Sequence, residues 1–259
     1  VKARVLGVIP ARLGSTRLPR KPLHLIADRP LIEWVWRRAR ESGIFDELVV
    51  ATDSREVADV AGAAGAAIRM TAAEHPSGTD RVAEVAASDP YLDYPIIVNI
   101  QGDEPFVSPD HLRAAVELVA THGWDVGTVA TPIAGADEWM DPAVVKVVTA
   151  NDGGAMLFSR APVPHPRDVG EPTEDDLANG VFLRHVGIYA YSRDALARWV
   201  ALPESGLERL ERLEQLRALA AGVRIGVAIG ARSEPGVDTI EDAHRADTRL
   251  RKLPHAASS

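Results

Sequence analysis

Apolar residues fall along this chain in two alternating patterns, short continuous runs and stripes at helical spacing. Residues 5–9 are a continuous apolar run and predict a buried first strand. Leu31, Ile32, Val35, Trp36 and Ala39 follow at helical spacing and predict a helix over 31–41. Residues 47–52 predict the next strand. Asp53 and Glu56 then have the spacing of a capping box, opening a helix over Val57, Val60 and Ala61. A short strand is expected at 67–70 and a helix at 79–87. Residues 95–100 are nearly all apolar, the pattern of a strand covered on both faces. Ser108 and Pro109 suit the cap and first position of another helix. Further strands are expected at 126–131, 144–149, 184–191 and 223–229, with helices at 193–201, 207–221 and 240–250. This alternation predicts an α/β fold with a mostly parallel, mixed central sheet flanked by helices.

One stretch breaks the pattern. Residues 162–178 are rich in Pro, Gly, Asp and Glu and have no apolar period, so a long surface loop, a candidate lid, is expected there. No linker or tandem repeat appears; residues 1–254 read as one domain and 255–259 as a frayed tail.

The composition narrows the function. With 46% hydrophobic residues among 259, a full core can form. A net charge of −8 argues against a general binder of nucleic acid or acidic membranes, so an anionic ligand needs a local cluster of cations. The chain has no cysteine, which excludes disulfides and thiolate zinc sites and fits a reducing cytoplasm. The N-terminus lacks a secretory pattern, and no apolar run approaches the ~20 residues that span a bilayer. A cytoplasmic location is therefore expected.

The densest mixture of cations and small residues directly follows the first strand: Pro10-Ala11-Arg12-Leu13-Gly14-Ser15-Thr16-Arg17-Leu18-Pro19-Arg20-Lys21-Pro22. Gly14 permits close backbone approach, Ser15 and Thr16 offer donors, and Arg12, Arg17 and Lys21 can each form a charge-assisted bond to phosphate. A solvated basic turn fits the same residues; the exit from a strand, where open α/β sheets place ligands, favours phosphate. No Walker A or dinucleotide glycine pattern is present. Gln101-Gly102-Asp103-Glu104-Pro105 follows the fully apolar strand, so Asp103 is either a metal ligand or the first residue of a plain turn. In Gly236-Val237-Asp238-Thr239, Thr239 and Asp242 read as a helix cap, which leaves Asp238 outside it. His185 and Tyr189 share one strand face by period two. Glu214 and Gln215 sit on a helix with a leucine stripe that suits core or subunit contact. There is no nucleophile elbow, zincin motif or cysteine nucleophile.

Taken in order, the opening loop, residues 101–105, Phe158-Ser159-Arg160, residues 184–191 and Gly236-Val237-Asp238 resemble the 3-deoxy-manno-octulosonate cytidylyltransferases. Ala51-Thr52-Asp53, His75-x-Ser77-Gly78-Thr79-x-Arg81, residues 145–148 and residues 213–217 extend the resemblance, which runs from Val5 to Arg249. It implies a single Rossmann-like nucleotidyltransferase domain, a homodimer and a need for Mg2+. It also implies transfer of CMP from CTP to the anomeric hydroxyl of the sugar acid KDO, giving pyrophosphate and CMP-KDO for lipopolysaccharide synthesis. By these motifs Pro10, Ala11, Arg12, Gly14, Ser15, Thr16, Arg17 and Lys21 would bind the nucleotide, with Ser77, Gly78, Thr79, Arg81 and Asp103. Asp103 and Asp238 would hold magnesium and, with Arg12 and Lys21, form the catalytic set. Gln101, Arg160, His185, Tyr189, Glu214 and Gln215 would line the sugar-acid pocket.

Two positions depart from the family: Arg20 stands where a glycine is common, and Ile240 where a proline is common. Arg20 would either resist a positive φ or add charge near the phosphates. Two other functions compete with this reading. One is activation of a related acidic sugar. The other is a regulator that binds nucleotide without catalysis, against which the retained acids and cations argue.

Overall fold

The computed structural model describes residues 3–14 and 17–252. Ser15, Thr16 and the expected tail at 255–259 lie outside them. The first strand, β1 (Val5–Ala11), leads through a 3-10 turn (Lys21–Leu23) to a small hairpin, β2 (Leu25–Ile26) and β3 (Arg29–Pro30), and to α1 (Leu31–Glu41). Then come β4 (Glu47–Thr52), α2 (Arg55–Ala63), β5 (Ala67–Met70), α3 (Gly78–Ala86), β6 (Ile96–Asn99) and α4 (Pro109–Ala120). β7 (Val126–Pro132), α5 (Ala136–Met140), β8 (Lys146–Thr149), β9 (Ala155–Ser159), α6 (Glu174–Ala178) and β10 (Leu183–Ser192) follow. The chain continues through α7 (Arg193–Ala201), α8 (Gly206–Glu211), α9 (Gln215–Ala220), β11 (Ile225–Ile229) and α10 (Ile240–Leu250). The expected α/β fold, a mixed, mostly parallel central sheet flanked by helices, is the fold observed.

These elements form two compact units that interleave in sequence. The first comprises residues 3–5, 94–98 and 110–233; its strand order is β11-β7-β10-β6, with β8 on β10 and β9 on β8. β11 runs parallel to β7, whereas β10 runs antiparallel to both β7 and β8. The second comprises residues 6–93, 99–109 and 234–252. Here β1, β4 and β5 are successive parallel strands, and the Ile100 amide donates to the Val8 carbonyl at 3.0 Å. Leu6, Val8, Ile9, Val49, Val50 and Ala51 are buried, while α1 buries the five apolar residues of its stripe. Burial of each larger side chain contributes about 1.5–3 kcal/mol, so the apolar pattern determines which face of each element turns inward.

Local chemistry corrects several expectations. The cap of α2 is Ser54, whose Oγ accepts from the Val57 amide at 3.3 Å; Asp53 instead pairs with Arg81 at 3.3 Å. The expected helix over 207–221 is two, because Arg212 adopts left-handed backbone (φ 55°) between α8 and α9. That break leaves Leu207 and Leu210 exposed while Leu213 and Leu216 are buried. Within 162–178 a capping box of Thr173 and Asp176 starts the short α6, so the segment is not wholly irregular. β10 carries an irregularity between Val186 and Tyr189, which interrupts the period-two count from His185.

Arg20 also takes left-handed backbone (φ 56°, ψ 33°) ahead of the 3-10 turn, so a side chain there did not prevent positive φ. Its guanidinium turns to Glu56 of α2. The left-handed backbone costs roughly 1–2 kcal/mol, and an exposed ion pair returns at most about 1. Arg20→Gly is expected to hold or raise the melting temperature; a fall of more than about 2 °C would contradict this account.

α4 lies against β7 at Gly127, where a Cβ would collide with the Ala115 carbonyl oxygen and sit 2.9 Å from Leu118 Cβ. Gly127→Ala should cost about 1–3 kcal/mol, which thermal unfolding would register; an unchanged midpoint would show that α4 can move aside.

Candidate active site

The second unit contains a cavity of about 300 Å3 where its strands and helices begin or end. β1 delivers Pro10 and Ala11, the following loop Arg12, Gly14 and Arg17, and the 3-10 turn Lys21. Ser77 and Gly78 come from the start of α3, with Arg81 one turn later. Gln101, Gly102 and Asp103 follow β6, and Asp238 precedes α10. Two glycines shape the floor by letting backbone pass close to Pro10. A Cβ on Gly102 would lie 2.7 Å from the Pro10 carbonyl oxygen, and one on Gly78 3.3 Å from Pro10 Cγ. Arg12 is exposed at this cavity, whereas Arg81 is buried and paired with Asp53 and Thr71.

The charged centre is a single ammonium between two carboxylates. Lys21 Nζ donates to Asp103 Oδ2 at 2.5 Å and to Asp238 Oδ1 at 2.9 Å. Arg17 Nη2 meets the same Asp238 oxygen at 3.1 Å. Burial works against the Lys21 charge, but the Asp103 and Asp238 carboxylates outweigh it and raise its pKa above the ordinary lysine value.

Asp238 is free for this role because Thr239 caps α10, with Asp242 completing the capping box. Asp242 Oδ2 accepts from the Thr239 amide at 2.8 Å, the Thr239 hydroxyl at 2.9 Å and the Asp238 amide at 3.1 Å. One residue away, the Val237 amide donates to the Asp103 carbonyl at 2.8 Å, which ties the two carboxylate-bearing segments together at the backbone.

Two carboxylates that converge on one cation suit an oxygen-seeking metal such as magnesium, which keeps water or substrate phosphate as further ligands. Asp103 and Asp238 would be the residues to hold it. No group of three or more His, Cys, Asp or Glu residues fit to hold a metal occurs among the described residues.

Of the expected nucleotide residues, Pro10, Ala11, Arg12, Gly14, Arg17, Lys21, Ser77, Gly78, Arg81 and Asp103 line this cavity. Thr79 does not; it is buried within α3. Ser77 also caps α3, its Oγ accepting from the Asp80 amide at 3.2 Å. Arg20 is not among the lining residues, so its extra charge is directed to α2 instead. Of the expected sugar-acid residues, Gln101 lines the cavity.

Arg160, His185, Tyr189, Glu214 and Gln215 belong to the first unit. There the His185 ring packs 5.0 Å from Phe158 and 5.3 Å from Tyr189. Thr128 Oγ1 donates its one proton to the Ile188 carbonyl at 2.7 Å, so it accepts from His185 Nε2 at 2.9 Å. That bond leaves His185 Nδ1 as an acceptor. Burial drives the His185 pKa down to about 3, so the ring is neutral at physiological pH. Burial, with the nearby Tyr191 and the Glu214 charge, pushes the Tyr189 hydroxyl well above its ordinary range and keeps it a donor. Gln215 is buried at the start of α9.

Arg160 is held through its Nε to the Glu211 carbonyl at 2.8 Å and through Nη1 to the Pro142 carbonyl at 3.0 Å. These neutral acceptors leave its charge available to an anion.

Sequence reasoning missed Lys146 as a supporting residue and gave His75 no role. Lys146 is fully buried and donates to the carbonyls of Asp141, Val144 and Arg160 at 2.9, 2.7 and 2.7 Å. Burial lowers its pKa, and the neighbouring Arg160 charge acts in the same direction. Its position within an apolar strand pattern carried no signal of these contacts. His75 lines the cavity, and its Nε2 is bonded to Glu84.

Comparison with known proteins places the chain in a family. The cytidylyltransferase family profile matches residues 6–225. The 3-deoxy-manno-octulosonate cytidylyltransferase of Gemmatimonas aurantiaca is 48% identical over 255 residues, which cover 98% of this chain and 97% of that protein. The enzyme of the same name from Syntrophotalea carbinolica is 46% identical, over 96% of this chain and 99% of its own. A solved CMP:2-keto-3-deoxy-manno-octonic acid synthetase complexed with CTP superposes with a TM-score of 0.87 at 37% identity, covering 96% of this chain and 99% of that one. With near-complete coverage in both directions, this chain belongs to the 3-deoxy-manno-octulosonate cytidylyltransferase family of cytidylyltransferases.

Proposed function

We propose that this chain transfers CMP from CTP to the anomeric hydroxyl of 3-deoxy-manno-octulosonate, releasing pyrophosphate and forming CMP-KDO. The observation that carries this reading is Lys21 held between Asp103 and Asp238 beside Arg17, in a cavity with a backbone floor at Gly78 and Gly102. Such a cluster suits a triphosphate with a divalent cation better than it suits a neutral ligand.

The reaction is a direct displacement. The sugar hydroxyl attacks the α-phosphorus of CTP, its oxygen forms the new P–O bond and gives up its proton to solvent, and the bond to the leaving pyrophosphate breaks in line. Arg12, Arg17 and Lys21 grip the phosphates and counter the charge that builds on their oxygens. Asp103 and Asp238 hold Lys21 in place and would be the residues to hold magnesium. When bound there, the ion supplies further positive charge to the phosphate oxygens and a Lewis acid for the attacking hydroxyl. The proposed sugar-acid residues are Arg160, His185, Tyr189, Glu214 and Gln215 in the first unit and Gln101 in the second. Arg160 attracts the carboxylate of the sugar acid, while neutral His185 and the protonated Tyr189 hydroxyl hold and orient its hydroxyls.

No protein nucleophile is needed; catalysis rests on positioning and charge. A cytoplasmic location, where the nucleotide is available, and a homodimer belong to the same proposal. Leu207 and Leu210 of α8, 51% and 80% exposed, provide apolar surface that a second copy could cover.

Purified protein with CTP, KDO and magnesium is expected to release pyrophosphate, and magnesium chelation should abolish the release. Asp103→Asn and Asp238→Asn should each lower turnover by about a hundredfold or more while remaining folded. Near-normal turnover of either variant at saturating magnesium would contradict the assignment.

A further inference from the structure

His75 borders the cavity, and the transfer described above gives it no task. Its side chain is 19% exposed, and its Nε2 is bonded to Glu84 Oε2. The same Glu84 oxygen accepts from the Ala72 amide at 3.0 Å. Burial works against the Glu84 charge, but the His75 and Ala72 hydrogen bonds, with the Arg81 charge, hold its carboxyl below the usual range. An ionised carboxylate can only accept, so Nε2 carries the ring proton. In the neutral imidazole, Nδ1 is then an acceptor, turned away from the bond to Glu84.

His75 enters from the loop before α3, whereas Lys21 and Arg17 enter from the loop after β1. Phosphate binding and the His75 ring therefore have separate structural supports around one cavity. A fixed acceptor in a wall discriminates between the two pyrimidines. Cytosine presents an exocyclic amine donor, where uracil presents a carbonyl oxygen at the corresponding position.

We infer that His75, oriented by Glu84, reads the nucleobase by accepting a hydrogen bond at Nδ1 from the exocyclic amine of cytosine and disfavouring the uracil carbonyl. This rests on the reading of the cavity as the CTP site. Glu84 is a positioning residue: it selects the tautomer and the ring orientation and does not itself touch the base. Loss of the acceptor removes one favourable contact with CTP and one unfavourable contact with UTP, so the ratio between them is the sensitive quantity.

The test uses the full chain with KDO and magnesium at pH 8, and reads kcat/KM for CTP and for UTP by pyrophosphate release. The wild type is expected to prefer CTP. His75→Ala should lower the CTP:UTP ratio by about tenfold or more. Glu84→Gln should lower it in the same direction, because an amide can donate to Nε2 and release the tautomer. Thermal unfolding reports whether each variant folds, and Glu84→Gln decides the matter if His75→Ala does not. A ratio unchanged in the folded variants, equal losses with both nucleotides, or a wild type that uses both equally would overturn the inference. No turnover of CTP by the wild type would instead overturn the proposed function on which it rests.

Discussion

The structure of the site depends on one electrostatic constraint: Lys21 must stay charged between Asp103 and Asp238. Two carboxylates brought together without a cation repel, and partial burial strengthens that repulsion. The ammonium resolves it, and its raised pKa reflects the two carboxylates that surround it. Three distant stretches of chain are brought to this point by separate devices. The 3-10 turn carries Lys21, the loop after β6 carries Asp103, and the Thr239–Asp242 capping box of α10 leaves Asp238 just outside the helix. The Val237–Asp103 backbone bond joins the last two. The chain has a net charge of −8, so this local gathering of Lys21, Arg17 and Arg12 is what lets it receive a polyanion.

The elements whose apolar period is unbroken were legible in the sequence. α1, β4, β5 and α10 begin and end where their patterns do: α1 and α10 each bury one stripe, and β4 buries a continuous run at its C-terminal end. Expectation failed where a single backbone or side-chain choice overrides the pattern. Arg212 in left-handed backbone splits a continuous leucine stripe, and Ser54 takes the cap that Asp53 leaves in order to pair with Arg81. β9 was missed because its alternation is weak: Met156 is 62% exposed and only Phe158 and Ser159 are buried.

The site was legible to the extent that its chemistry is local. A strand exit crowded with cations announces phosphate, and an aspartate just outside a capping box is free for another task. Neither signal shows that Asp103 and Asp238 share one ammonium, since that depends on topology. His75 and Lys146 were harder still. The partner of His75 lies in the second turn of the next helix, and the partners of Lys146 are backbone carbonyls, which have no sequence signature. Arg20 shows the reverse case. The sequence flags it as unusual at a glycine position, yet its side chain goes to Glu56, while Lys21, the next residue, faces the cavity.

The central claim is that Lys21 and the two carboxylates act as a single unit. A double-mutant cycle tests it most directly, measuring kcat/KM for pyrophosphate release in Lys21→Met, Asp103→Asn and the double variant. If the three groups form one unit, the double variant loses little more than the worse single variant, and the coupling exceeds about tenfold. Losses that simply multiply would show that Lys21 and Asp103 work independently, and would contradict the account.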